Sequence, residues 1–236
     1  MGEEGTGTGG AWCTVSRLAL SVVELAAHAP YRREGDRDDR DRLGTHCDAR
    51  PALEEGILRG LYQYSAAPDP AESAPRAQIL ASGVAVRQSL TAQEMLATEW
   101  GVSADVWSAT SWTELRRDAL NCDEWNMLHP DAEPRVPHVV SALADHAGPV
   151  VGVSDWVRAV PDQIARWVSA PFASLGTDGW GLSDTRPAAR RFFHVDAESI
   201  TLAVLTQLVK AGELKPEVLG QAISKYRLDL DVSDAL

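Results

Sequence analysis

Short apolar runs alternate with longer helical patterns from residue 77 onward, and this alternation constrains the fold more than any other feature of the sequence. Four runs suit buried strands: AQILAS (77–82), DVWSAT (105–110), PVVGVS (149–154) and FASLGT (172–177). Short, continuously apolar runs are typical of parallel strands that are covered on both faces. Because strands that alternate with helices build parallel sheets, the sequence predicts an α/β domain with a mostly parallel sheet.

Helical patterns fill the intervals between these runs. Residues 84–100 carry apolar side chains on one wide face, and Gly101 is placed to end that helix. Residues 157–168 also show a helical pattern, although Pro161 limits where the helix can begin. Both segments lie where an α/β domain requires a connection between neighbouring strands.

Two further helices are predicted near the end of the sequence. Asp196 is placed as the N-cap of a helix over 197–211, and Pro216 lies in the first turn of the last helix. The first of these helices is apolar on two sides, and such helices are usually buried on both sides. One side can lie on the sheet, and a second subunit is a candidate to cover the other. That other side carries Leu202, Leu205 and Val209.

The first 50 residues differ in composition from the rest. Residues 31–42, YRREGDRDDRDR, form a run of mixed charge with nothing apolar after Tyr31. Such a run cannot contribute to a core, so we expect it to be solvated and mostly disordered. Within this segment only residues 15–29 have the apolar spacing of a helix, which would be marginal without a partner.

Composition excludes some classes of function. The formal charge of −12 argues against a nucleic-acid partner, which requires a basic surface. Cys13, Cys47 and Cys122 are odd in number and widely spaced, which favours a reducing compartment over a disulfide framework. The apolar stretch at 18–29 is too short to span a bilayer and contains Glu24, so we expect no membrane partner and a cytoplasmic protein.

A glycine-rich stretch, GTDGWGLSD at 176–184, lies between an apolar run and a helical pattern. This is the layout of a phosphate-binding loop, but no Lys-Ser or Lys-Thr pair follows. Asp178 and Asp184 would repel a phosphate, and Trp180 stands where such a loop usually presents bare backbone. We therefore expect a tight turn from strand to helix, whose glycines adopt positive φ.

Other candidate catalytic groups have simpler interpretations. Cys122 and His129 are close in sequence and could act as nucleophile and base, but such partners are usually distant in sequence. A cysteine facing a core and a histidine capping its helix are the favoured interpretation. The adjacent carboxylates at 54–55 and 123–124 point apart and are expected on solvated surfaces. The residues alone therefore predict no self-contained active site.

Several long strings resemble, in chain order, the last part of the homodimeric pyruvate dehydrogenase decarboxylating component. These are EEGILRGLYQY, SATSWTELRRDALNCDEWNMLHP, PRVPHVV, SLGTDGWGLSDTR and FFHVDAESITLAVLTQL. The resemblance extends from about residue 51 to the end of the sequence. It implies a transketolase-type C-terminal domain, which is a three-layer α/β domain with a mostly parallel mixed sheet.

The resemblance also implies a reaction. The family uses thiamine diphosphate and Mg²⁺ to decarboxylate pyruvate oxidatively, and it transfers the acetyl group to the lipoyl acyltransferase of the pyruvate dehydrogenase complex. Its catalytic, cofactor-binding and metal-binding residues belong to two earlier domains, so the resemblance assigns none of these roles here. We expect a fragment that binds no cofactor and is inactive alone. The alternative is a non-enzymatic module that dimerises or binds a full-length subunit or the complex core.

The resemblance suggests a division of the chain into three parts. Residues 76–236 correspond to the transketolase-type C-terminal domain, and 51–75 to a remnant of the preceding middle domain with a linker. Residues 1–50 do not resemble the family and are expected to be disordered or translated from another frame, with a genuine fused tail as the alternative. We expect a homodimer or a pairing with a full-length subunit. The predicted interface contains Trp180, Asp178, Leu202, Leu205 and Val209. The alternative for the turn with Trp180 is that it faces the family's two earlier domains.

Overall fold

A computed structural model describes residues 50–68 and 74–228 of the 236-residue chain. The predicted helix at 15–29 and the predicted disorder of residues 1–50 lie outside the described residues. The chain divides into two compact units, residues 1–58 and 59–236. Helix α1 (Arg50–Arg59) is the described part of the first unit and ends just inside the second.

The second unit contains a five-stranded sheet in the order β1-β3-β2-β4-β5. β1 pairs with β3 in antiparallel orientation, and the other three pairs are parallel. This confirms the predicted mixed, mostly parallel sheet, and each of the four apolar runs overlaps one strand. The strands are β1 (Leu61–Ser65), β2 (Arg76–Ala81), β3 (Ser103–Ala109), β4 (Val150–Val153) and β5 (Phe172–Leu175).

β1 extends the sheet into the stretch that was predicted to be a domain remnant and linker. Leu61 pairs with Ala109 of β3, and its side chain is buried. The sheet therefore begins before residue 76. Sequence patterns missed this strand because LYQYS is short and half polar, as suits a strand with one neighbour at the edge of a sheet.

One face of the sheet is covered by three helices, α2 (Ala85–Trp100), α7 (Ala197–Lys210) and α8 (Glu217–Tyr226). α7 lies against β4 and β5 and also contacts α2 and α8. The buried side chains of this core include Ile79, Leu96, Val106, Val151, Ile200, Val204, Leu205 and Leu208.

The opposite face is covered by α3 (Trp112–Leu128), α4 (His138–Leu143) and α5 (Ala159–Asp162). Successive strand residues point to opposite faces, so Ile79 packs in the first core whereas Leu80 packs in the second. Two helical layers around one sheet confirm the predicted three-layer architecture. The second core includes Leu61, Leu80, Trp107, Trp112, Leu115, Val139 and Ile164.

The structure confirms two predicted helix boundaries. Gly101 ends α2 with φ of 64°, and its N–H donates to the Leu96 carbonyl. Asp196 begins α7, and its carboxylate accepts the N–H of Ser199 at 3.0 Å. Both residues perform the capping roles that aspartate and glycine favour.

The predicted helix at 157–168 is wrong. The chain forms only α5 and a separate 3₁₀ turn at Ala165–Trp167. Pro161 lies inside α5 and has no N–H to continue an α-helix. The following residues use shorter-range bonds, since the N–H of Ile164 donates to the Pro161 carbonyl.

Candidate functional site

The carboxyl ends of β2, β4 and β5 lie at the same edge of the sheet, because these strands are parallel neighbours. Open α/β sheets usually build their functional sites at this edge. The chain leaves β4 into a loop at 154–158 and leaves β5 into the glycine-rich loop at 176–185. The second loop then enters α6 (Arg186–Phe192).

The β4 and β5 loops are bound to each other by hydrogen bonds. Asp178 accepts the N–H of Arg158 at 2.9 Å and also pairs with its guanidinium. These two groups of Arg158 lower the pKa of the Asp178 carboxyl. Thr177 donates its hydroxyl to the Asp155 carbonyl at 2.7 Å. Asp178, which was predicted at the interface, thus holds two loops of its own chain together.

Close packing explains one glycine of this loop and backbone conformation explains another. A Cβ on Gly176 would lie 2.4 Å from the Trp156 carbonyl oxygen, so no larger residue fits without movement of the backbone. Gly179 has φ of 82°, a conformation that side chains disfavour. The expectation of positive φ throughout the turn therefore holds for Gly179 but not for Gly176 or Gly181.

Four large apolar side chains on these loops are exposed, and we call them the loop surface. Trp180 is 94% exposed and Trp156 is 64% exposed. Val157 and Leu182 complete the loop surface and are each nearly half exposed. All four follow the carboxyl ends of the neighbouring strands β4 and β5, and exposed apolar surface is a mark of interaction sites. The sequence prediction that Trp180 lies at an interface remains a prediction.

A cavity of about 190 Å³ is lined in part by Asp155 and Thr177 of the same two loops. One wall comes from α6, another from the start of α2, and Thr177 connects the cavity to the glycine-rich loop. Its apolar lining includes Val84, Ala85, Ala189, Phe193 and Val195.

The second apolar side of α7 is covered in part by the chain itself. Leu205 was predicted at a subunit interface but is instead fully buried in the core. The reason is that α2 and α8 pack against α7, as the sheet does. Leu202 and Val209 keep partial exposure, and their role at an interface remains a prediction.

Asp105 forms a buried polar cluster that sequence patterns did not reveal. Its side chain is 3% exposed and lies 3.2 Å from His146 Nδ1 and 3.5 Å from Arg76. It also accepts the N–H of Ala67 at 2.9 Å. Burial alone raises the pKa of Asp105, but hydrogen bonds from Ala67, His146 and Gln78 outweigh burial, so the pKa is lowered. One signal in the sequence could have identified this cluster: Asp105 is the charged residue of the predicted strand at 105–110.

Gln78 of β2 is fully buried and belongs to the same polar cluster. Its side-chain oxygen accepts the indole N–H of Trp107 at 2.8 Å, and its amide donates to the Ala147 carbonyl at 2.9 Å. The Trp107 ring contacts His146 edge to face. Because the polar atoms are paired within the chain, the cluster is suited to stabilising the fold rather than to chemistry on a substrate.

The other candidates from sequence occupy structural positions. Cys122 is buried, and burial raises the pKa of its thiol. His129 is the C-cap of α3, and its Nδ1 lies 2.8 Å from the Trp125 carbonyl. The packing and capping interpretations are confirmed, and no hydrogen bond joins Cys122 to His129 in the described part of the chain. Asp123 pairs with Arg166 at 2.5 Å, whereas the carboxylates at 54–55 are exposed.

The described residues do not provide a site suited to thiamine diphosphate with Mg²⁺. Within residues 50–68 and 74–228, no group of three or more His, Cys, Asp or Glu side chains is placed to hold a metal ion. The glycine-rich loop is unsuited to a diphosphate, because Asp178 and Asp184 are acidic and Trp180 separates its last two glycines.

One described stretch, residues 186–210, is long and apolar enough to cross a membrane by length and composition alone. However, 56% of its most apolar window is buried within the chain. His194, with φ of 54°, lies between α6 and α7 and interrupts the helical backbone. The composition of this stretch is accounted for by a core helix.

Comparison with known proteins identifies relatives of this chain. The model of the transketolase-like TK C-terminal domain family matches residues 41–196 and so begins within the segment predicted to be unrelated. The pyruvate dehydrogenase E1 component of Mycolicibacterium smegmatis is 54% identical over 181 residues, which are 77% of this chain and 19% of that protein. The E1 component of Mycobacterium tuberculosis is 53% identical with the same coverage of both chains.

These relatives confirm the resemblance found in the sequence. The chain spans about a fifth of the length of the curated relatives it matches. Among solved structures, transketolase from Leishmania mexicana has a TM-score of 0.42 and 21% identity, covering 66% of this chain and 19% of that one. Since the family match covers more than half of the sequence, the chain belongs to the transketolase-like TK C-terminal domain family.

Proposed function

We propose that this chain provides an assembly domain of a pyruvate dehydrogenase E1-type enzyme and is catalytically inactive by itself. The identity of 54% to an E1 component supports the choice of enzyme. The observation that carries the assembly role is the loop surface, where Trp180 and Trp156 are exposed on the loops that follow the carboxyl ends of β5 and β4. Exposure of two tryptophans is costly in water and is relieved when a partner covers them.

The reaction to which the domain would contribute is the oxidative decarboxylation of pyruvate, followed by acetyl transfer to lipoyl groups. Thiamine diphosphate supplies the carbanion chemistry of this reaction when bound, and the protein binds and orients it. Within the described residues, no three His, Cys, Asp or Glu side chains are grouped to hold a metal ion. We therefore assign cofactor binding and catalysis to the parts of the relatives that this chain does not cover.

The chain's own residues would contribute a preformed contact surface. Two hydrogen bonds attach the β5 loop to the β4 loop: Asp178 accepts the N–H of Arg158, and Thr177 donates to the Asp155 carbonyl. These bonds restrict the backbone on which the exposed tryptophans are carried. A surface that is ordered before binding loses less conformational entropy when a partner arrives.

Thermal unfolding with added cofactor tests the inactive role. We expect the unfolding midpoint of the chain to stay constant as thiamine diphosphate and Mg²⁺ are raised together, because a ligand stabilises only a protein that binds it. A full-length E1 component is the positive control and should show a rising midpoint. A saturable rise for this chain, absent with Mg²⁺ alone, would contradict the proposal.

A second candidate function is an interaction module that binds a full-length E1 subunit or the lipoyl acyltransferase core. The partly exposed Leu202 and Val209 favour this candidate, because they extend one apolar side of α7 to the surface. Such a module would need no catalytic residue of its own.

A further inference from the structure

We propose that the cavity lined by Val84 and Phe193 binds a free amino acid that has an apolar side chain. The side chain of this ligand fills the cavity, its ammonium group pairs with Asp155, and its carboxylate pairs with Arg190. All three parts of the site come from the residues that line the cavity. The site is independent of the assembly role proposed above.

The cavity lies where the chain leaves two neighbouring strands in opposite directions. In the sheet, β3 lies on one side of β2 and β4 on the other. After β2 the chain enters α2 on one face of the sheet, whereas after β4 it enters α5 on the opposite face. Ligands of open α/β sheets usually bind in the crevice that forms at such a point. Val84, which follows β2, and Asp155, which follows β4, both line the cavity.

The cavity has the size and chemistry to receive one leucine or phenylalanine side chain. Its volume of about 190 Å³ is below the range of pockets for drug-sized ligands. It is closer to cavities of about 150 Å³ that accept a single benzene. Apolar lining residues include Val84, Ala85, Phe193 and Val195.

Asp155 and Arg190 bring opposite charges to this cavity. Neither residue forms an ion pair within the described part of the chain, so they do not pair with each other. A Cβ on Gly83 would lie 3.6 Å from Asp155 Oδ1, so the carboxylate lies beside the turn that follows β2. Two unpaired charges of opposite sign at one cavity are complementary to a ligand that carries both charges.

Gln88 supplies a second donor for the carboxylate of the ligand. Its Oε1 accepts the N–H of Ala197 at 3.2 Å, which joins α2 to the start of α7. That bond uses the acceptor of the amide and leaves its Nε2 hydrogens as donors. Because Gln88 and Arg190 line the same cavity, one carboxylate can accept hydrogen bonds from both.

This arrangement distinguishes amino acids from related small molecules. A monocarboxylate would leave Asp155 unpaired beside its own negative charge, and an alkylamine would leave Arg190 unpaired. Unpaired charges in a site act against the ligand that fails to match them. Glycine carries both charged groups but would leave the apolar cavity empty.

Isothermal titration calorimetry on the full chain tests the proposal. We expect saturable binding of L-leucine or L-phenylalanine with a Kd of about 1 mM or below. Isocaproate, which lacks the ammonium group, and isoamylamine, which lacks the carboxylate, should each bind about tenfold more weakly than leucine. Glycine should give no saturable heat. Absence of binding by both leucine and phenylalanine would overturn the proposal, as would glycine binding as tightly as leucine.

Two variants test the charged groups. Arg190→Met and Asp155→Asn should each raise the Kd for leucine about tenfold or more, because each removes one charged partner. Arg186→Met and Asp184→Asn are the matched controls, since they make the same changes at exposed residues that do not line the cavity. Both controls should keep the wild-type Kd. Thermal unfolding verifies that each variant is folded.

Pairing the variants with the truncated ligands provides the sharpest test. If Asp155 holds the ammonium group, Asp155→Asn should bind leucine and isocaproate with similar Kd values, because the group has lost its partner. By the same reasoning, Arg190→Met should bind leucine and isoamylamine with similar Kd values. Variants that keep the full wild-type preference for leucine would overturn the assigned contacts.

Discussion

At the scale of single residues, Asp105 connects three segments that are distant in sequence. It receives the N–H of Ala67 after β1, approaches Arg76 at the start of β2, and lies 3.2 Å from His146 before β4. Its carboxylate is almost fully buried yet supplied with donors. Removing one member of such a cluster is costly because the remaining groups lose their partners without regaining water.

Asp105→Ala should therefore destabilise the fold by about 3 kcal/mol. Urea unfolding at neutral pH measures the loss. Asp184→Ala is the matched control, because Asp184 is exposed and forms no ion pair within the described residues, and it should change stability little. Equal stabilities for the two variants would show that the Asp105 cluster contributes nothing.

Asp105→Asn should also alter the pH dependence of stability. The folded-state pKa of Asp105 lies below its unfolded value of about 3.9, so the charged form stabilises the fold. That contribution is complete above about pH 4 and is lost as the pH falls through the folded-state pKa. The wild type should exceed Asp105→Asn in unfolding free energy most near neutral pH, and the difference should shrink in acid. A constant difference would contradict the assignment.

At the scale of elements, α8 is attached to α2 by one tyrosine. Tyr226 donates its hydroxyl to Glu99 at 2.5 Å and accepts the indole N–H of Trp100 at 2.7 Å. Burial and the neighbouring Glu99 carboxylate raise the pKa of Tyr226, so the phenol remains a donor at neutral pH. Lys225 adds an exposed ion pair to Glu99 at 3.0 Å.

Tyr226→Phe should destabilise the fold by about 1 kcal/mol, because Trp100 loses its acceptor and Glu99 its donor. Hydrogen exchange should rise first in α8, the helix that this contact holds. Lys225→Met removes the exposed ion pair and the approach of Lys225 Nζ to the Trp100 ring at 5.7 Å, and it should cost about 0.5 kcal/mol or less. If Lys225→Met is the more damaging change, charge rather than the tyrosine hydrogen bonds attaches α8.

At the scale of the whole molecule, the chain covers about a fifth of the length of its E1 relatives. If the domain assembles with a full-length subunit, this chain should co-sediment with the E1 component of Mycolicibacterium smegmatis, its 54% identical relative. Trp180→Ala should weaken that association, because the loop surface loses its most exposed member, while Met127→Ala should leave it intact. Independent sedimentation of the two proteins would count against binding to full-length subunits.

Sequence patterns identified the class of the fold and four of its five strands. The continuous apolar runs that contain Ile79 and Val151 indicate strands buried on both faces, because every side chain in such a run is better placed in a core than in water. That signal is a local property of composition. The caps at Gly101 and Asp196 were equally predictable, since a cap depends on residues within one turn. For residues 157–168 the sequence indicated that Pro161 limits the helix, but it did not predict the short α5 with a separate 3₁₀ turn at Ala165–Trp167.

The sequence by itself determined four of the five strands and the helices α2, α7 and α8, because hydrophobic period and capping act over a few residues. Only the tertiary structure decided which surfaces remain for partners. α2 and α8 pack against α7 and leave Leu205 buried. The ion pair between Asp178 and Arg158 holds the β5 loop, on which Trp180 is exposed. Exposure depends on what other elements of the chain pack nearby, and neither residue type nor spacing along the sequence records that packing.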